Sequence, residues 1–383
     1  MTLENRRKDI LRLIESIDIS PSLYKNAVEK YQAITAYLVK HGLDADMYPQ
    51  GSFALGTVVR PSNNNQDANY DLDFICQVKS SRNEITASAL WEKLKEVLEN
   101  SSYADKLTEY DKCFTIEYAD VNGVGFSIDI VPAADESTER KYKLQCDSEH
   151  PELIGTSIVI PDTGTQRSTW VTNNPKGYKE WFERINEPYR LHSQLENRRA
   201  IFENYPGVFA SIEKIPTELE RSSLQRVIQI LKKHRDEYYF KSNATKPISA
   251  IIGTLVAKIA AKLPPSISVF ELLEKVLDTL QKHNRNDDML YKKNGKWIIP
   301  NPANPEDNLA DSWNDETCDK FFHWINQARI DFVDALNDDE SRFRATMENA
   351  FGLWFINKHW NNKYCTVPSK PINPATASKP WRD

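Results

Sequence analysis

The chain has 383 residues, of which 40% are apolar and 27% charged, with a net charge of −6. That is the balance of an ordinary globular protein, large enough for one two-lobed unit or two domains. No run of about 18 apolar residues long enough to span a bilayer occurs, and the acidic balance argues against a protein built mainly to coat nucleic acid. Five cysteines lie far apart with no CxxC pair, which excludes a zinc knuckle and a disulfide framework, so they are expected to be reduced fillers. The opening "MTLENRRKDILRLIES" lacks the apolar core and cleavage site of a signal peptide, so a cytoplasmic protein is expected.

In chain order, the first forty residues read as two amphipathic helices. Leu23, Ala27, Ile34 and Leu38 share one face of the second, and His41-Gly42 supplies its stop. After a turn-rich stretch, Tyr70 to Val78 alternates Leu72, Phe74, Cys76 and Val78 with Asp71, Asp73, Ile75 and Gln77, the period of a strand. "TASALWEKLKEVLEN" spaces Leu90, Leu94, Val97 and Leu98 as a helix does, and "CFTIEYADVNGVGFSIDIVPA" reads as a hairpin turning at Asn122-Gly123. From about Asp135 to Pro188 the sequence is punctuated by "PDTGTQ" and "TNNPKGY" and is expected to be an irregular insertion. From about Pro216 onward helical patterns dominate: "LQRVIQILKKHRDEYYF", "KPISAIIGTLVAKIAAKL", "SVFELLEKVLDTLQKH", "DKFFHWINQARIDFVDAL" and "MENAFGLWFINKHW". The Pro-, Ser- and Ala-rich end reads as a loose tail.

The chemistry concentrates between residues 48 and 130. Side chains at i and i+2 of a strand project from one face, roughly 6.6 Å apart at a rise of about 3.3 Å per residue, so Asp71 and Asp73 point together. On the hairpin's second arm Phe126, Ile128 and Ile130 face one way and Asp129 the other. If the two strands are neighbours, three acids converge, and their mutual repulsion calls for a divalent cation. Oxygen ligands with no His or Cys nearby favour magnesium, with manganese as a substitute, over zinc. Two such ions about 4 Å apart suit phosphoryl transfer. A lone DxD is more often a pair of solvated acids on the open face of a sheet. Here it follows Gly51-Ser52, where glycine permits close backbone approach and serine adds a hydroxyl at the start of a short helix, a cradle for phosphate.

"QGSFALGT", "YDLDF" and "FSIDIVPA" together resemble the G-S, D-x-D and D signature of polymerase-beta-like nucleotidyltransferases. More narrowly, they are similar to the CD-NTase (cGAS/DncV-like) family of bacterial CBASS anti-phage enzymes. "NPKGYKEWF", "LQRVIQILKKHRDEYYF", "KPISAIIGTL" and "NPANPEDNLADSW" extend the likeness over about residues 45 to 320. The resemblance implies an α+β fold: a mixed sheet carrying the acids, braced by a long N-terminal helix, and a helical lobe closing the cleft. The lobes are expected at residues 1–200 and 201–366, the second like the C-terminal part of oligoadenylate synthetases, with a tail at 367–383.

The resemblance further implies that Lys232 and Ser249 contact the triphosphate tail of the donor nucleotide. Lys232 could equally lie on the wet face of an amphipathic helix, Lys233 more so, and Asn308 in "NPEDNLA" could line the cleft or cap a helix. His41 and His234 read as structural. The expected activity is joining of nucleoside triphosphates, ATP first, with GTP or a pyrimidine triphosphate as alternatives. The product would be a cyclic di- or trinucleotide messenger for a separate effector, with no obligatory nucleic acid and no membrane. Asp71, Asp73 and Asp129 would hold the two magnesium ions, and Gly51 and Ser52 the phosphates. A terminal transferase or linear oligonucleotide synthase would use the same acids, and a nucleotide-binding regulator without activity would share the fold.

Overall fold

A computed structural model describes residues 2–18, 21–60, 62–63, 66–67, 70–121, 124–164, 169–204, 220–242, 245–282 and 288–360. The chain opens with helices α1 (Leu3–Glu15) and α2 (Pro21–Lys40), and the Thr2 hydroxyl caps α1 by accepting the Asn5 N–H. Strand β1 (Ala45–Pro49), the single-turn helix α3 (Gly51–Ala54) and the short strands β2 (Ser62–Asn63) and β3 (Gln66–Asp67) lead into β4 (Tyr70–Ser81). Helix α4 (Ala87–Glu99) follows, then β5 (Leu107–Glu109), β6 (Phe114–Val121) and β7 (Val124–Asp135). The β6–β7 arms pair antiparallel as the alternation predicts, while the turn at Asn122-Gly123 lies outside the described residues, as does the tail at 367–383.

Strands run in the order β1-β4-β7-β6-β5, and β4 and β7 pair in parallel whereas their neighbours pair antiparallel. The sheet is therefore mixed. Leu72, Phe74, Cys76, Ile128 and Ile130 cover one face and pack with Ala27, Ile34 and Leu38 of α2 and Leu90, Leu94 and Leu98 of α4. Each such side chain contributes roughly 1.5–3 kcal/mol on burial, enough to pin the register. Once Leu72, Phe74, Ile128 and Ile130 turn inward, period 2 sends Asp71, Asp73, Ser127 and Asp129 to the opposite face together.

The interval expected to be irregular carries regular elements in its described residues. It holds α5 (Thr138–Asp147), β8 (Ile158–Asp162) and β9 (Thr169–Asn173), which extend the sheet from the end of β7. The long helix α6 (Pro175–Asn204) then begins inside it and runs on through Pro188. The apolar run Ile158–Ile160 is too short to stand out against the Pro, Gly and Asn around it, and those residues mark strand ends instead of a loop. Asn174 starts α6 by accepting the Gly177 N–H at 3.0 Å.

The second half is helical: α7 (Ser223–Ser242), α8 (Ser249–Ala260), α9 (Val269–Lys282), α10 (Asp315–Phe332), α11 (Glu340–Phe351) and α12 (Leu353–His359). Between α9 and α10 lie two strand pairs, β10 (Tyr291–Lys293) with β11 (Lys296–Ile298) and β12 (Pro300–Asn301) with β13 (Asn304–Asn308). The first turns at Asn294-Gly295, both at positive φ (52° and 79°), a hairpin signal in the sequence that the helical reading passed over. Core membership does not follow chain order. Ile10, Leu13 and Ile14 of α1 pack with Leu231, Leu255, Val276, Trp324 and Phe332 of the helical core, and Arg6 Nη1 donates to the Leu336 carbonyl at 2.6 Å. Among the described residues no helix is long and apolar enough to cross a membrane.

Candidate active site

The parallel register sets Asp71 beside Ser127 and Asp73 beside Asp129. The three acids predicted from spacing thus share one sheet face. Asp71 accepts from the Ser127 hydroxyl at 2.8 Å and Asp129 from the Thr115 hydroxyl at 2.6 Å. Asp73 lies between them and is largely desolvated. Burial first, then the charges of Asp129 and Asp71, push its carboxyl up to about 7, opposed by Lys232. Burial likewise raises Asp129, while the Thr115 hydroxyl lowers it. Among the described residues no three acidic, imidazole or thiol groups are already gathered as a ligand set. Each outer carboxylate instead turns to a hydroxyl donor on the neighbouring strand. The hard oxygen donors of the cluster fit magnesium or manganese.

Gly51 faces this cluster. Its φ is +58°, and a Cβ there would lie 2.8 Å from Asp73 Oδ2, so only glycine brings the turn this close to the carboxylate. The Asp73 carbonyl accepts the Gln50 N–H at 2.9 Å, tying β4 to the start of α3. Gly51 and Ser52 line a cavity of about 290 Å³ whose other walls come from Tyr178, Ile228, Ser249 and Leu309. Ser249 is therefore brought to the same space as the Gly-Ser pair. Its hydroxyl accepts from Arg235 Nη1 at 3.1 Å, and because a guanidinium only donates, the Ser249 proton is left to point elsewhere.

Lys232 is beside the cluster but does not line this cavity. Its Nζ donates to the Thr57 carbonyl at 2.8 Å. It is one of three α7 side chains that hold the segment after α3: Gln225 Nε2 donates to the Leu55 carbonyl at 2.8 Å and Gln229 Nε2 to the Val58 carbonyl at 2.9 Å. Residues 225, 229 and 232 fall on one helix face, a polar stripe whose periodicity was visible but whose partners were not. Burial, then the neighbouring Arg235, push the Lys232 ammonium down to about 7.

The wet-face reading of this helix is wrong. Lys232, Lys233, His234 and Arg235 are all buried, Lys233 being 1% exposed. Lys233 pairs with Glu237 and lies over the Phe355 ring at 5.0 Å. His234 accepts from Trp324 Nε1 at Nδ1 and bonds Asp331 through Nε2, both at 2.9 Å, so it is structural as expected. Each cation finds its own partner, which is what makes burial tolerable. Asn308 is neither cap nor cleft ligand: its side chain bonds the backbone of Trp297, Ile299 and Ala310.

Residues 1–186 match the Second Messenger Oligonucleotide or Dinucleotide Synthetase domain. The chain is 24% identical over 335 residues to a c-di-GMP synthase of Roseivirga ehrenbergii, covering 85% of this chain and 78% of that protein. It is 24% identical over 314 residues to the cyclic dinucleotide synthase CdnG of Bradyrhizobium diazoefficiens, covering 79% and 69%. The solved structure of that CdnG in complex with GTP superposes with a TM-score of 0.66 at 21% identity, over 91% of this chain and 95% of the other. Sheet, acids and Gly-Ser turn thus occur in a chain whose residues 1–186 match the synthetase domain and which is similar to two cyclic dinucleotide synthases.

Proposed function

We propose that this protein joins nucleoside triphosphates into a cyclic dinucleotide, releasing pyrophosphate at each bond. The observation that carries the reading is the pairing of Asp73 with Asp129 on adjacent parallel strands, with Asp71 on the same face and Gly51 against Asp73. Relatives named as a c-di-GMP synthase and a cyclic dinucleotide synthase support cyclisation over linear synthesis.

Asp71, Asp73 and Asp129 would hold divalent cations, which when bound neutralise the phosphates and favour the ionised acceptor hydroxyl. The chain's own residues do the positioning. The amides of α3 and the Ser52 hydroxyl take the terminal phosphates, with Ser249 donating from the opposite wall. Lys232, fixed on the carbonyl of Thr57, adds charge behind them. Thr115 and Ser127 hold the outer carboxylates in line with the acceptor ribose. Because the acids face one way, a hydroxyl delivered beside Asp129 attacks an α-phosphate held beside Asp73, and pyrophosphate leaves toward the Gly-Ser turn. A second transfer within the linear product closes the ring.

The same reading makes the product a cytoplasmic messenger for a separate effector, of the CBASS anti-phage kind, made without a nucleic-acid activator. The decisive experiment incubates the pure protein with each labelled triphosphate, alone and in pairs, with magnesium. Phosphatase-resistant rings of defined mass support the reading. Chains that phosphatase degrades would identify a linear synthase or terminal transferase, and nucleotide binding with no pyrophosphate release would identify an inactive regulator.

A further inference from the structure

Remote parts of the chain line the cavity beside Gly51. Gln50, Gly51 and Ser52 come from the turn into α3, and Lys179, the cation among the lining residues, also lines the adjoining cavity with Ala54 and Leu55. Asn301 and Asp307 come from the β12–β13 pair and Leu309 from just beyond it. A triphosphate fits the Gly-Ser turn and Lys179 by charge, which leaves the carboxylate of Asp307 for the nucleobase.

The walls between are apolar and held in place. Tyr178 is anchored by a hydrogen bond of 2.9 Å between its hydroxyl and Thr254, and glycine at 253 leaves room for that hydroxyl. Ile248 also lines the cavity, with 55% of its surface exposed. In such pockets a few polar groups fix orientation.

Among the described lining residues Asp307 alone carries a carboxylate. Asn174 spends both donors on the Leu153 and Ala303 carbonyls and its oxygen on Gly177 and Thr156. Asn301 accepts the Ala303 N–H at 2.9 Å and donates to Asp307 Oδ2 at 2.7 Å. That bond orients the Asp307 carboxylate, and among the described residues no ammonium or guanidinium pairs with it. A carboxylate only accepts. Guanine presents two donors side by side, N1–H and the N2 amine. Adenine sets the acceptor N1 beside its amine, and uracil flanks its one donor with carbonyls. The complementary base is guanine.

We propose that Asp307, oriented by Asn301, selects guanine for the donor nucleotide. This rests on reading the Gly51 cavity as the nucleotide site. The test is calorimetry of the full chain with magnesium and non-hydrolysable analogues of GTP, ITP and ATP. Expected is about tenfold or greater preference for the GTP over the ATP analogue, with the ITP analogue, which lacks the N2 amine, in between. Asp307→Asn and Asp307→Ala, both at an exposed position, are expected to bring GTP within about threefold of ATP and to leave ATP affinity within about twofold. Equal binding of the GTP and ATP analogues by the unmodified protein overturns the proposal and leaves the catalytic reading standing. So does an equal loss for both in the variants, which would assign Asp307 to the ribose or to the fold. If no triphosphate binds at all, the nucleotide-site reading fails together with it.

Discussion

Replacing Asp73 by Asn is expected to make the metal-free protein more stable and less responsive to magnesium. The carboxyl moves from an ordinary value of 3.8 to about 7, first through burial and then through Asp129 and Asp71. Between those values the folded state holds a proton that the unfolded chain releases, so stability falls as pH rises through that window and levels off above it. The shift is roughly three units at about 1.4 kcal/mol each, which sets an upper bound of about 4 kcal/mol on the cost of an ionised Asp73 above pH 7. With an unfolding entropy near 2.1 cal/mol/K per residue, that bound corresponds to a rise in melting temperature of up to about 5 °C at pH 8 for the Asn variant. At pH 5 the gain shrinks to less than about half, and below pH 4 it disappears. Magnesium, which relieves the same repulsion, is expected to raise the melting temperature of the unmodified protein at pH 8 and to do little for the variant. Thermal melts at the three pH values, with and without millimolar magnesium, measure all of this. Identical melting of the two proteins at pH 8, or a magnesium shift that survives the substitution, would refute the claim that these carboxylates are held together against their own charge.

The double substitution Asp71→Ala with Asp73→Ala should abolish pyrophosphate release while the circular dichroism spectrum stays folded, and retained synthesis would discard the site. Gly51→Ala puts a methyl 2.8 Å from Asp73 Oδ2 at a φ of +58°. It should cost about 1–3 kcal/mol in stability and, by displacing the phosphate turn, at least about 100-fold in turnover; near-normal turnover would count against the close approach. Because Lys232 is pushed down to about 7, it is mostly neutral at pH 8. Asp73 is already ionised there, so triphosphate binding at pH 8 should take up a proton. Calorimetry in two buffers of unequal ionisation enthalpy reads this directly, and equal heats would exclude it. Asn174→Ala strips the buried Ala303 carbonyl of its Asn174 donor, while the Leu153 carbonyl keeps the Thr156 hydroxyl at 3.2 Å. An orphaned buried carbonyl costs about 1–3 kcal/mol, so the denaturant midpoint should drop, and an unchanged midpoint would contradict the bonding described.

What the sequence alone determined was whatever a local period can carry. Period 2 put Asp71, Asp73 and Asp129 on the faces opposite Leu72, Phe74, Ile128 and Ile130, and the 3.6-residue period marked out the helices from Leu224 onward. The Gly51-Ser52 pair was legible for a related reason, since a backbone that must approach an anion admits few residue types. Whether the third acid joined the first two was a matter of which strands became neighbours, and the parallel pairing of β4 with β7 is a fact of the tertiary structure. The same holds for the quartet Lys232–Arg235. Four consecutive basic residues on a helix read as solvated because burying a charge is prohibitive without a partner. Their partners, Thr57, Glu237 and Phe355, Asp331 and Trp324, and Pro247 and Ser249, come mostly from distant parts of the chain. Asp307 gave no signal either, because its meaning lies in the cavity it lines and in the Asn301 amide that aims it. Faces are written in the spacing of residues along the chain; the environment that makes a buried cation stable or a carboxylate selective exists only once remote segments have met.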